Sequence, residues 1–206
     1  MISRLFPLGI FMIFVAFWVI YPGCASSPPS RFYLLSSMSE TGPEKKPSAE
    51  DRCLSIGIGP INIPDYLDQP RIVTRVAPNE ITLGELDRWA EGFRNNLTRV
   101  LAKNLSTLLC TKTIAIFPWR GGIPIDYRIE MEVLRLDGNL GGNVSLEAWW
   151  VVFSGDGKRM ILAKRLSFNE AVGEKDYKSL VLAQSQALEK LSREIAEAVK
   201  NLPHLP

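Results

Sequence analysis

Ile125-Asp126-Tyr127-Arg128-Ile129-Glu130-Met131-Glu132-Val133 is the stretch on which the fold turns. Positions 125, 127, 129, 131 and 133 are apolar or aromatic, and the residues between them are all charged. Successive side chains of a strand point to opposite faces, so this period of two predicts a strand with one face on a core and one in water. Working outward, Asp137-Gly-Asn-Leu-Gly-Gly142 predicts a turn and Val144 to Phe153 a second strand. Ser154-Gly-Asp-Gly157 turns again and Met160 to Phe168 returns, which makes an antiparallel meander. Trp149-Trp150 sends one indole to each face, one into the core and one outward as a candidate contact.

The wetted sheet needs a cover, and two helical stripes supply it. Leu86, Trp89, Ala90, Phe93, Leu97, Val100, Leu101, Leu105 and Leu108 recur at three- and four-residue steps, predicting a helix from about Leu86 to Leu109. Leu180, Ala183, Ala187, Leu188, Leu191, Ile195, Ala198 and Leu202 predict another from about Asp176 to Asn201. Upstream, Leu54 to Ile63 reads as a strand interrupted near Pro60, Arg71 to Val76 as a second and Ile81 to Leu83 as its return. Ile114 to Pro118 adds a short strand. The expected architecture is α+β: a two-layer sandwich in which a mostly antiparallel sheet is covered by two long amphipathic helices.

Composition narrows the function classes. The chain has 206 residues and a formal net charge of +2, which gives no electrostatic footprint for a nucleic-acid partner. An apolar content of 46% with 22% charged residues excludes wholesale disorder. The single histidine, His204, stands near the end, which argues against a buried His-centred catalytic site and against a histidine pair for a metal. No Cys-x-x-Cys occurs, and Gly57-Ile-Gly59 and Gly155-Asp-Gly157 are neither dinucleotide fingerprints nor phosphate loops. No catalytic residue, metal or cofactor is expected. Glu130 and Glu132 share a sheet face, where alternating charge is the ordinary wet side of a strand. Asn96-Leu-Thr, Asn104-Leu-Ser and Asn143-Val-Ser match a glycosylation pattern, but the first two fall on the expected helix and no role is assigned to them.

The amino terminus sets the compartment. One charge, Arg4, precedes an uncharged run from Leu5 to Ile20, and Tyr21-Pro22-Gly23-Cys24 follows. That is the layout of a secretory signal, and a cysteine directly after Gly23 reads as the acylated first residue of a bacterial lipoprotein. Tyr21 and Pro22 depart from the usual residues before such a cysteine, so an uncleaved anchor and plain secretion remain as alternatives. All three place the domain outside the cytoplasm. The expected organisation is a signal peptide at 1–23, a lipidated start and flexible tether at 24–50 with an edge strand at 31–36 as an option, and a periplasmic domain at 51–206. About 25 flexible residues would reach roughly 25–30 Å. Ala25, not an aspartate, follows the cysteine, which by enteric analogy favours the outer membrane. With Cys24 acylated, Cys53 and Cys110 remain, either bridged or as two buried thiols.

Several blocks resemble the ABC-type transport auxiliary lipoprotein (PqiC-like) family. They are Arg31-Phe-Tyr-Leu-Leu35, Ile58 to Arg75, Asn79-Glu80 with Leu86-Asp-Arg-Trp-Ala-Glu91, Asp126 to Gly138 and Gly141 to Trp149. The resemblance implies a lipid-anchored accessory to Mce-type phospholipid transport, partnered with an Mce-domain protein and with the membrane through its lipid. Self-assembly into a homo-oligomer stays open. Within it, Tyr66-Leu67-Asp68-Gln69-Pro70-Arg71 is the expected docking loop, because it mixes an aromatic, a leucine and opposite charges on a turn. Its alternative is structural, with Tyr66 and Leu67 capping the core and Asp68 paired to Arg71. Arg75, with Asn79 and Glu80, is a second candidate. Two readings from other classes stand beside this one: a carboxylate-based periplasmic enzyme and a structural lipoprotein of another envelope complex.

Overall fold

The computed structural model describes residues 27–38, 53–119 and 122–202. The expected signal peptide and Cys24 lie outside the described residues.

The alternating stretch lies in strand β6, Tyr127–Gly138, which pairs antiparallel with β7, Asn143–Ser154, and β7 in turn with β8, Met160–Ala171. Tyr127, Ile129, Met131 and Val133 are all buried, as period two demands. Between Val133 and Arg135 the register slips, so Leu136 returns to the core side while Leu134 stays exposed. Of the tryptophan pair, Trp150 is fully buried opposite Met131, and Trp149 faces outward between Glu132 and Arg165.

The remaining strands change the picture of one mostly antiparallel sheet. β2, Leu54–Asn62, pairs parallel with both β6 and β5, Thr111–Ile116, giving a five-stranded order β5-β2-β6-β7-β8. A separate three-stranded sheet, order β1-β4-β3, contains β1, Arg31–Tyr33, β3, Arg71–Ala77, and β4, Glu80–Trp89. β4 runs antiparallel to β3 and parallel to β1. Alternation reveals which face of a strand is buried and is silent about its partner, so the parallel pairings left no trace in the pattern. Because β5 and β6 flank β2 in the same direction, the chain between them crosses over β2. The crossing is close: a Cβ at Gly57 would lie 3.1 Å from both Trp119 and Ile125.

Two helices bury apolar rows: α1, Phe93–Leu108, and α2, Tyr177–Lys200. The expectation that α1 starts at Leu86 is corrected, since Leu86 to Trp89 belong to β4. Trp89 and Phe93 pack ring to ring at 4.7 Å across the junction, so a strand end and a helix start imitate one continuous stripe. α2 begins where expected, with Asp176 accepting a hydrogen bond from the Ser179 N–H.

The segment after β1 is bound, not free. Asn96 and Asn104, both without solvent contact, accept hydrogen bonds from the backbone N–H groups of Leu35 and Met38 at 2.7 and 2.9 Å. On the other helix Ser185 Oγ accepts from the Ser36 N–H, and Asn104 donates to Ser192 Oγ. Residues 34–38 thus lie along the seam between α1 and α2. The two asparagines satisfy backbone groups that burial would otherwise strand. Cys53 and Cys110 are joined by a disulfide. They precede β2 and β5, whose parallel register starts with Leu54 opposite Thr111, so both sulfurs arrive at the same edge. Closing 57 residues contributes about 4 kcal/mol in the chain-entropy account.

Candidate functional site

The 64–70 loop closes on itself through backbone bonds from Leu67 to Pro64 and from Asp68 to Asp65. Leu67 is buried and anchors the loop in the core. Tyr66 is half-buried and donates its phenol proton to Asp137 Oδ2 at 2.7 Å. Asp68 meets Arg94 at the start of α1, at 2.9 Å, and not Arg71. Pro70 and Arg71 remain exposed. The loop is therefore divided: Tyr66 and Leu67 hold it, while Asp68, Pro70 and Arg71 form its outer surface.

Arg75 joins Tyr66 on the same carboxylate. Its Nε and a terminal nitrogen donate to the two oxygens of Asp137, both at 2.8 Å, and its guanidinium stands 5.8 Å from the Tyr66 ring centre. Arg135, two positions from Asp137 on its own strand, donates a further bond at 2.9 Å. Asp137 itself has no solvent contact. Burial pushes its carboxyl upward, but the hydrogen bonds from Arg75, Tyr66 and Arg135 outweigh this, and the net result is a group held below the ordinary carboxylate value. Burial, together with the bond to Asp137, pushes the Tyr66 phenol up to about 12, so it stays a donor at neutral pH. One carboxylate thus ties the loop, the small sheet and the large sheet together.

A second aspartate repeats the motif. Asp87 of β4 accepts from Tyr33 Oη at 2.8 Å and from Arg31 at 3.0 Å, locking β1 onto β4. Burial and the Asp87 bond lift Tyr33 to about 12. Neither aspartate stood out in the sequence. Asp137 reads as a turn residue, and Asp87 lies in a stretch that mimics a helix. The available signal was Arg135 and Asp137 at a two-residue spacing just past a faultless strand, which marks one face and not a turn.

Among the described residues, no three or more His, Cys, Asp or Glu are grouped so that they could hold a metal ion. No helix there is long and apolar enough to cross a membrane.

The class these features define is a mixed α+β domain whose buried charges hold its parts together and leave a fixed loop at the surface. The chain belongs to the family of ABC-type transport auxiliary lipoprotein components, whose model matches residues 33–196. It is thus a lipoprotein associated with an ABC transport system. A crystal structure of an uncharacterized protein superposes with a TM-score of 0.67 at 16% identity, covering 84% of this chain and 99% of that one. Protein XCC0632 from Xanthomonas campestris, of the family DUF330, gives 0.66 at 15% identity, covering 82% and 94%. These likenesses establish the fold. A comparison with curated proteins finds no match.

Proposed function

We propose that the chain is the lipid-anchored periplasmic accessory subunit of an Mce-type ABC lipid transport system, docking the transport conduit at the outer membrane. The observation that carries this reading is the family match over residues 33–196, which makes the domain a transport auxiliary. Its working parts are the acylated Cys24, which holds it at the bilayer, and the outer surface of the 64–71 loop, which meets the Mce-domain protein. Asp68, Pro70 and Arg71 make that contact. Tyr66, Leu67 and Arg75 fix the loop's shape, so the pre-ordered surface loses little freedom on binding. Several acyl chains on one cysteine make release from the membrane negligible, at roughly 0.8 kcal/mol per buried methylene.

Two experiments test it. Capture of the cognate Mce-domain protein is expected to fall steeply for an Asp68→Lys, Arg71→Glu double variant. Unchanged capture by that variant, with its melting temperature intact, removes the loop from the interface. A thiol count on denatured, unreduced mature protein should find none. One free thiol would mean that Cys24 is unmodified, and two would mean that Cys53 and Cys110 are not bridged.

A further inference from the structure

Phe32, Arg88 and Arg71 stand side by side across the three-stranded sheet. Phe32 of β1 is opposite Arg88 of β4, and Arg88 is opposite Arg71 of β3. All three are exposed, Phe32 by 64%, and Leu34 follows at 45%. Arg31 is neutralised by Asp87, but Arg71 and Arg88 have no hydrogen bond or ion pair among the described residues. Like charges directly opposite each other on paired strands repel. An apolar patch beside two guanidinium groups without a partner lacks its counterpart among the described residues.

The length of chain ahead of β1 says what that counterpart is. Cys24 is seven positions before Arg31, and Arg31 is fixed to the body through Asp87, as are residues 34–38 through the helix seam. Even fully extended, seven residues span at most roughly 25 Å. The 24–50 stretch therefore cannot serve as one long leash, because its bound part begins so soon after the cysteine. With acyl chains on Cys24, the edge of the small sheet is kept within roughly 25 Å of the bilayer. Headgroup phosphates match guanidinium groups in charge and in their paired hydrogen bonds, and an aromatic ring suits the boundary between headgroup and acyl chain.

We infer that this face, Phe32 and Leu34 with Arg88 and Arg71, rests on the bilayer leaflet that holds the Cys24 acyl chains and contacts its anionic phospholipids. The inference depends on the reading that Cys24 is acylated. It gives the domain a fixed attitude: the 64–71 loop lies at the rim of the membrane contact, where Arg71 belongs to both surfaces. Phe32 and Arg88 belong to the membrane contact alone.

The test uses the full-length acylated chain in vesicles of phosphatidylcholine and phosphatidylglycerol, the former brominated near the top of its acyl chains. Phe32→Trp and, on the outer side of α2, Leu182→Trp are compared, each against the unsubstituted chain. The indole added at 32 is expected to be quenched roughly twofold more than that added at 182, as for a ring at the headgroup boundary. Adding Arg88→Glu, or omitting phosphatidylglycerol, should reduce the difference. Equal quenching at the two positions overturns the inference. So does a Phe32→Trp emission that ignores the vesicles and shifts only when the Mce-domain protein is added, which would give this face to a protein partner. The mass of the mature chain separates the two failures. An unacylated Cys24 brings down the anchor reading, whereas an acylated chain with equal quenching brings down this inference alone.

Discussion

Asp137 and Asp87 are both buried and each held by arginine and tyrosine, yet their arginines differ in exposure to water. The Asp137 side chain has no solvent contact and its Arg75 partner is 21% exposed, whereas Arg31, the partner of Asp87, is 65% exposed. Taking charges out of water costs several kcal/mol, and good geometry recovers that only while every partner is present. Losing a partner that already stands in water, as Arg31 does, costs less, because water takes over its guanidinium even though the Asp87 side chain is only 6% exposed. The Asp137 cluster therefore joins two sheets and a loop, and it should fail as a unit. The Asp87 cluster pins three residues of β1 and should fail locally.

The largest expected effect separates the two directly. Asp137→Ala strands Arg75, Arg135 and the Tyr66 phenol, and should cost about 3–5 kcal/mol in urea denaturation. Asp87→Ala chiefly removes a charge-assisted bond from Tyr33, at about 1.5–3 kcal/mol. Equal losses would mean that solvent access does not set the worth of these clusters. Arg75→Met is expected next, at about 2 kcal/mol, since Arg135 and Tyr66 still satisfy the carboxylate. A loss as large as that of Asp137→Ala would show that Arg135 contributes nothing.

Acid offers a smaller and differently shaped test. The folded value of Asp137 lies below its ordinary 3.8, so near that pH the unfolded chain binds more protons than the folded one. Its stabilisation is fully present above about pH 4 and is lost as pH falls through the lower, folded value. Unfolding free energies measured downward from pH 5 should drop for the unsubstituted chain, and Asp137→Asn should flatten that drop. Parallel curves would assign the acid sensitivity to other carboxylates.

How much of this was legible follows from what each pattern encodes. Residues 127–133 and 180–199 announce buried faces by their period, and the structure buries those faces. The period could not announce that β2 runs parallel to its neighbours, because partner choice leaves no mark on a single strand. It misled at Leu86 and Trp89, where a strand and the helix behind it bury residues in helical rhythm. Asn96 and Asn104 were visible as glycosylation matches, although each stands one place before a stripe leucine, Leu97 and Leu105. That placement, repeated after two turns, is a polar groove in an apolar face. Of the docking loop, composition gave its membership in a turn. Which side chains turn inward depended on Asp137, distant in sequence and silent in pattern.

The smallest expected effect is the sharpest control on the comparison. Arg31→Met removes the same group from Asp87 that Arg75→Met removes from Asp137, with the same gain in apolar stem. Tyr33 still occupies Asp87, and the lost guanidinium was already largely in water, so the urea midpoint should not move measurably. Hydrogen exchange at the β1 amides is the more sensitive readout, and faster exchange confined to Phe32 and Tyr33 would fit a locally loosened strand. Global destabilisation matching that of Arg75→Met would instead show that β1 is integral to the cooperative core.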